Sequence, residues 1–189
     1  MLRESAHGVP FALAGAGCGL AWASALRGWM VAVAGSESNV TLAGTVGGVL
    51  APGTVVGGLL GWAEWRRRAG RPPSGWLVAS PTLLWLAPLA VPGVLAGMVA
   101  TGQGTGAVGM VSLAMLAGSS LSGRGRPWRR VTAGVLGFAV VPAMVLGPPI
   151  APHLDTSTTA GALAAVSFSA LYVALAAGCA IPMRSAVVT

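Results

Sequence analysis

Long apolar runs, separated by short polar or arginine-rich stretches, recur along the whole chain. An α-helix needs about 20 predominantly apolar residues to cross the hydrocarbon core of a bilayer. The pattern therefore predicts an all-α fold, a polytopic membrane helix bundle that forms a single integral membrane domain over residues 1–189. The six predicted transmembrane helices are Val9–Met30, Val40–Trp62, Trp76–Val99, Gly104–Leu121, Val131–Gly147 and Thr158–Ile181.

The amino-acid composition favours the same class. The 189 residues are 54% hydrophobic and 8% charged, with a mean hydropathy of +0.78, whereas about 25% of the residues of a soluble domain are charged. The 29 glycines and 13 prolines interrupt apolar runs, which membrane helices tolerate when their neighbours satisfy the freed backbone groups. All basic residues are arginine and alanine is abundant, which is typical of a GC-rich bacterial genome.

The arginines predict the orientation of the bundle. The connection Ala63–Ser74 contains four arginines and the connection Ser122–Arg130 contains four more, while Arg27 is the one arginine near the other connections. By the positive-inside rule, both arginine-rich connections are cytoplasmic, which places both termini inside a bacterial plasma membrane. Because topology accounts for the net charge of +7, we expect no nucleic-acid partner.

The first helix has some features of a secretory signal peptide. The small residues 23–25 follow the apolar run Phe11–Leu20, as at a cleavage site. The amino-terminal region is weakly basic, however, because Glu4 offsets Arg3. We therefore favour a retained first helix, and cleavage would leave five crossings with an external amino terminus.

Glycines in the second segment predict close helix packing. Gly53, Gly57 and Gly61 form two consecutive steps of four residues. Small residues at this spacing allow helix backbones to approach closely in lipid, where apolar surfaces alone give little driving force. The second helix is thus interpreted as central, and the alternative is that a glycine-rich composition produces such spacings by chance.

Two prolines near the middle of predicted helices are candidate kinks. They are Pro52, followed by Gly53, in the second segment and Pro142 in the fifth. Each proline removes a backbone donor and frees a carbonyl one turn earlier. The corresponding positions suggest an inverted repeat like that of transporters with broken helices. Against this, the halves share no clear sequence similarity, and the prolines of the third segment have no counterpart in the sixth.

Four ionisable residues fall on the predicted outer side and form the candidate polar site: Arg27, Glu37, His153 and Asp155. Ionisable groups near a membrane are costly and often functional. The structural alternatives are that Arg27 extends to the headgroups, that Glu37 complements the dipole of the second helix, and that the other two are ordinary loop residues. The motifs indicate no catalytic residues, no metal site and no cofactor, and Cys18 and Cys179 are interpreted as packing residues.

Three functions remain open. The first is a small-solute transporter or channel-like protein with an outward-facing polar site, which the kinks and the sparse polar interior favour. The second is a non-catalytic membrane partner or assembly subunit that packs through glycine-rich helix faces. The third is an outer-face enzyme that modifies lipids. The expected partners are accordingly the lipid bilayer, a small-molecule solute, and a second copy of the chain or another membrane protein.

Overall fold

The computed structural model describes residues 8–35, 41–71, 74–90, 93–101, 105–146 and 155–186. The regular structure in these ranges is helical. The α-helices are α1 (Val9–Ala34), α2 (Leu42–Thr45), α3 (Ala51–Arg68), α4 (Gly75–Ala79), α5 (Leu83–Leu89), α6 (Val94–Thr101), α7 (Thr105–Leu121), α8 (Pro127–Phe138), α9 (Val140–Leu146) and α10 (Thr159–Ala180). A π-helical segment (Val46–Leu50) joins α2 to α3, and 3-10 turns occupy Ser80–Thr82 and Ile181–Met183.

Four helical spans in the described ranges are long and apolar enough to cross a membrane. They are Val9–Ala34, Val46–Arg68, Pro127–Leu146 and Thr159–Met183. A fifth is added if Gly75–Leu89 and Val94–Ala100, which meet at 91°, form one span. The remaining apolar helix, Gly106–Leu121, is shorter. The all-helical, membrane-type architecture agrees with the sequence, while the predicted number of six spans is not confirmed.

Both candidate kink prolines follow an irregularity in their helix. Pro52 comes directly after the π-helical segment and Ala51. Pro142 lies three residues beyond Ala139, where α8 ends and α9 has not yet begun. A proline lacks the N–H that would bond the carbonyl four residues earlier, which weakens the helix over the preceding turn. The two irregularities occupy that turn.

Helices α1 and α3 are antiparallel and touch through their backbones. A methyl group built on Gly53 would lie 2.6 Å from the Cβ of Ala23, and one built on Gly57 would lie 2.8 Å from the Cα of Gly19. Ordinary carbon–carbon contacts are about 3.5–4.0 Å, so only glycine fits. We call this contact the glycine seam, and its members are Gly15 and Gly19 of α1 with Gly53, Gly57 and Gly61 of α3.

Helices α7, α8, α9 and α10 form a second packed unit. Its buried core consists of Ala114, Ala117, Val140, Phe168, Tyr172 and Ala176. A methyl group on Gly137 would lie 2.5 Å from the backbone nitrogen of Ala117, so α8 also packs closely on α7. The Tyr172 hydroxyl donates to the Gly137 carbonyl, which fixes α10 against the same glycine.

The arginine-rich segments lie together at one end of the bundle. Gly8, just before α1, packs against Trp62 and Trp65 near the end of α3. Gly118, near the end of α7, packs against Cys179 at the end of α10. We call this end of the bundle the arginine end and the opposite end the distal end. Because successive long helices run in opposite directions, both arginine-rich connections lie at the same end of the bundle, as the sequence predicts.

Candidate functional site

Arg27, the first member of the predicted polar site, bonds a neighbouring helix near the distal end. Its Nε donates to the Thr45 Oγ1 over 3.2 Å, and both residues are half-buried. Thr45 is the last residue of α2, directly before the π-helical segment. The guanidinium therefore ties α1 to the second segment where that helix is irregular.

Asp155 builds the turn that starts α10. Its Oδ1 accepts the backbone N–H of Ser157 at 2.9 Å, and its carbonyl accepts the hydroxyl of Thr158 at 2.7 Å. The Thr158 hydroxyl in turn accepts the N–H of Gly161 at 3.1 Å, which caps the helix. The hydrogen bond from the Ser157 backbone lowers the pKa of the Asp155 carboxyl. This geometry gives Asp155 a structural role.

The other two predicted members, Glu37 and His153, lie outside the described residues. Arg27 and Asp155 each have a local partner, and each partner accounts for the position of its side chain. In the described ranges, no group of three or more histidine, cysteine, aspartate or glutamate side chains is placed to hold a metal ion.

Two tryptophans join α1 to α10. The indole Nε1 of Trp22 donates to the Leu171 carbonyl and that of Trp29 donates to the Ala164 carbonyl, both over 2.8 Å. The Trp29 ring also packs 5.0 Å from the ring of Phe168. In the sequence Trp22 looks like a packing residue and Trp29 like an interface residue, and neither pattern reveals a bond to a carbonyl of the last helix.

From Trp22 toward the arginine end, α1 and α10 enclose a lateral crevice with α3 as its floor. The lateral crevice has a volume of about 330 Å³ and is open at the side of the bundle. Pockets for small molecules usually measure about 300–1,000 Å³. Its lining includes Cys18 and Trp22 of α1, Gly57 and Gly61 of α3, Leu84 of α5 and Gly178 of α10.

The walls of the lateral crevice are apolar because its floor is the edge of the glycine seam. The charged group in its lining is Glu64, near the end of α3. Both Glu64 oxygens accept from Arg67 at 2.8 Å, and Oε1 also accepts from Arg68 Nε at 2.6 Å. The guanidinium of Arg68 lies 5.2 Å from the centre of the Phe11 ring. The crevice therefore combines an apolar body with a charged rim at the arginine end.

The two cysteines have different surroundings. Cys18 is exposed and lines the lateral crevice, whereas Cys179 is fully buried between α10 and α7. A maleimide must reach the sulfur atom of a cysteine to react with it. Because Cys18 is accessible at the crevice and Cys179 is buried, alkylation of Cys18 reports on what occupies the crevice, with Cys179 as a shielded thiol in the same molecule.

Comparison with protein families, curated proteins and solved structures found no match for this chain. The lateral crevice was not predicted from the sequence. The signal available in the sequence was a set of small residues, Gly57, Gly61, Gly178 and Cys18. Their short side chains do not fill the volume between the helices.

Proposed function

We propose that this protein is a multi-pass protein of a bacterial plasma membrane that binds a small amphiphilic molecule in the lateral crevice and transfers it within the membrane. The observation that supports the proposal is the combination of an apolar volume of about 330 Å³ with a rim at which Glu64 pairs with Arg67 and Arg68, so that the rim has a net positive charge. The acyl portion lies along the glycine floor, and an anionic head lies at the rim beside Arg68.

The charged rim provides the selectivity. Lipid tails are as apolar as the crevice walls, so burial of an apolar chain there gains little over the bilayer. A head group that bonds a guanidinium adds energy that a bare lipid tail cannot supply. The side chain of Arg68 is 60% exposed, and its Nε bond to Glu64 uses one of five N–H donors.

An amphiphile fits the described interior better than a water-soluble solute does. Three hydroxyls in the apolar segments donate to backbone carbonyls three or four residues earlier, over 2.8 Å. These are Thr54 to Leu50, Ser80 to Leu77, and Ser169 to Ala165. Hydroxyls satisfied in this way do not form a polar path through the bundle, whereas the side opening lets a lipid-like molecule enter from the bilayer.

The topology is part of the proposal. The arginine end faces the cytoplasm, in keeping with the positive-inside rule, and the chain crosses six times with Gly75–Leu89 and Val94–Ala100 as one broken span. Helix α1 is retained because it supplies half of the glycine seam and one wall of the lateral crevice. Both termini are then cytoplasmic.

The second candidate function is assembly with a partner through glycine-rich helix faces. The glycine face that the sequence predicts for this contact is on α3, and it is already occupied. The series Gly53, Gly57 and Gly61 is covered by α1 of the same chain. A second copy could reach this region only through the lateral crevice. The lipid-modifying enzyme would need the outer polar residues to converge, and the partners of Arg27 and Asp155 give no support to that arrangement.

Protection of Cys18 from alkylation tests the proposal. Purified protein in neutral detergent is treated with a fluorescent maleimide in the presence of fatty acids of increasing chain length. Occupancy of the crevice slows labelling by the factor 1 + [L]/Kd, or about tenfold at a ligand concentration of ten times Kd. We expect protection that depends on chain length, because the crevice has a fixed volume.

A matched thiol separates occupancy from general effects on the micelle. Ala21 is exposed on the same helix and does not line the crevice. In the variant Cys18→Ser/Ala21→Cys, fatty acids should leave the labelling rate unchanged. Equal protection of both thiols, or of neither, would refute an amphiphile site. Formation of a Cys18–Cys18 disulfide between two chains on mild oxidation would instead show that a second copy occupies the crevice.

A further inference from the structure

The contact between α1 and α10 advances in steps of seven residues, which is close to two helical turns. Two of the steps are hydrogen bonds over 2.8 Å, from Trp29 to the Ala164 carbonyl and from Trp22 to the Leu171 carbonyl. One step further toward the arginine end, the same antiparallel register brings Gly15 level with Gly178, and both glycines line the lateral crevice. The crevice therefore begins where glycines replace the tryptophan contacts between these two helices.

Trp22 closes the lateral crevice toward the distal end. It lines the crevice and joins α1 to α10 through its bond to the Leu171 carbonyl. Beyond it, the contact between the two helices is filled by the Trp29 ring, which packs 5.0 Å from the Phe168 ring. Trp22 lies twelve residues before the end of α1, or about 18 Å along the helix. The closed end of the crevice thus lies well inside the described part of the bundle.

The length of the lateral crevice can be read from two of its helices. The lining extends from Phe11 to Trp22 along α1 and from Gly53 to Glu64 along α3, which is eleven residue steps in each case. At a rise of about 1.5 Å per residue, this is about 17 Å. Half of a hydrocarbon core of about 30 Å is similar, so the crevice is about as long as the lipid tails of one leaflet.

This length corresponds to a definite number of carbon atoms. An extended tail advances about 1.3 Å per carbon, because carbon–carbon bonds of about 1.5 Å meet at the tetrahedral angle. The open end of the crevice is at the rim, where the Arg68 guanidinium lies 5.2 Å from the centre of the Phe11 ring. A head group held at this rim leaves room for a tail of about 12–14 carbons before the tail meets Trp22.

We propose that Trp22 determines which amphiphile the lateral crevice binds, because it accepts single tails of about 12–14 carbons and excludes longer ones. The inference rests on the proposed function and adds to it the property that is selected and the residue that selects it. A longer tail with its head at the rim must bend sharply toward the side opening or displace a packed side chain. Overpacking of this kind should weaken binding about fivefold or more.

Three variants change the closed end in defined directions. Trp22→Ala removes the wall, whereas Trp22→Phe keeps most of the ring and removes only the hydrogen-bond donor. Ala174→Leu adds bulk at an exposed residue that lines the crevice, three residues after Leu171 on α10. The matched control is Ala177→Leu, which makes the same change at an exposed residue of α10 that does not line the crevice.

The first measurement is protection of Cys18 from the maleimide by saturated fatty acids from decanoic to octadecanoic acid. Each protein is characterised by the ratio of its Kd for octadecanoic acid to its Kd for dodecanoic acid, in which partition into the detergent cancels between variants. Trp22→Ala should lower this ratio about fivefold or more, and Trp22→Phe and Ala177→Leu should stay near wild type. Ala174→Leu should raise the ratio of the Kd for tetradecanoic acid to that for decanoic acid.

The second measurement locates the end of the tail and does not require Trp22→Ala to fold. Bromine quenches indole fluorescence only at short range, so dodecanoic acid is brominated either at its terminal carbon or beside the carboxyl. Quenching by the terminal bromine should fall in Trp22→Phe and persist in Trp29→Phe. Quenching by the bromine beside the carboxyl should be the same in both variants.

The outcomes distinguish this inference from the proposed function. Protection of Cys18 with equal chain-length ratios in wild type, Trp22→Ala and Ala174→Leu would overturn the role of Trp22 and leave the amphiphile site in place. Protection by no fatty acid in any of these proteins would overturn both. Equal loss of terminal-bromine quenching in Trp22→Phe and Trp29→Phe would place the end of the tail elsewhere and would also overturn the wall.

Discussion

The glycine seam makes a quantitative prediction at Gly57. A methyl group there would overlap the Gly15 carbonyl oxygen and would lie 2.8 Å from the Cα and 2.9 Å from the nitrogen of Gly19. All three neighbours are backbone atoms of α1, so no side-chain rotation can make room. Gly57→Ala must therefore force α1 and α3 apart along their whole contact.

The matched control is Gly17→Ala on α1. A methyl group at Gly17 meets no atom within 4 Å, and this residue is exposed. Both substitutions gain about 1 kcal/mol of helix propensity, so the difference between them isolates the packing cost. Overpacking of a close contact costs about 1–3 kcal/mol. At about 2–4 °C per kcal/mol for a protein of this size, Gly57→Ala should unfold about 2–12 °C below Gly17→Ala.

The assay is thermal unfolding in one detergent, followed by circular dichroism and by loss of the monodisperse peak in size-exclusion chromatography. Because unfolding of membrane proteins is often irreversible, both variants are heated at the same rate and compared only with each other. Equal unfolding temperatures for the two variants would refute backbone contact at the seam. A lower temperature for Gly17→Ala would show that the wrong face of α1 has been placed against α3.

Three further predictions concern other contacts. Trp29→Phe removes the indole donor to Ala164 and should cost about 0.6–1.7 kcal/mol, measured as a lower unfolding temperature; no change would mean that the bond does not hold α1 to α10. Thr158→Ala removes the cap of α10 and should cost about 0.5–2 kcal/mol, whereas Thr158→Ser should be close to wild type. Intact-mass measurement of the protein from membranes should show a chain that includes α1, and a mass that corresponds to cleavage after Ala25 would contradict the retained helix.

The positions of the helices follow from hydropathy, and their internal breaks do not. The predicted segments and the observed helices agree within a few residues for α1, α7 and α10. Hydropathy predicts one continuous segment over Trp76–Val99, yet Pro81 lies in a 3-10 turn at Ser80–Thr82, and Gly75–Leu89 meets Val94–Ala100 at 91°. Hydropathy measures solvent preference and carries no information on backbone direction.

Helix partners are harder to predict than helix surfaces. The four-residue spacing marks Gly57 as part of a close contact, but spacing cannot name α1 as the helix that lies on it. The same limit applies to Tyr172 and Trp22, whose polar groups bond to carbonyls of other helices. Those carbonyls belong to helices that are far away along the chain and come close only when the bundle has formed.

The candidate polar site shows how local partners can be overlooked. Asp155 and Thr158 have the spacing of a capping turn before an apolar run, and this pattern is visible in the sequence. The capping interpretation requires only neighbouring residues, whereas a site with Arg27 requires two distant segments to meet. The lateral crevice was missed because it is assembled from residues of four helices that share no motif.

The π-helical segment Val46–Leu50 has a consequence for the evolution of this chain. A π-helical turn contains one residue more than an α-helical turn. The segment therefore accommodates one extra residue inside the helix without a change in the loops at its ends. Because the π turn winds more loosely than an α turn, removal of a single residue there would restore regular winding while Thr45 still faced Arg27 and the glycine seam stayed in place. The same deletion in a regular part of the helix would rotate everything beyond it by about 100° around the helix axis. The π turn is thus a place where the central helix tolerates a change in length without losing contacts at either end.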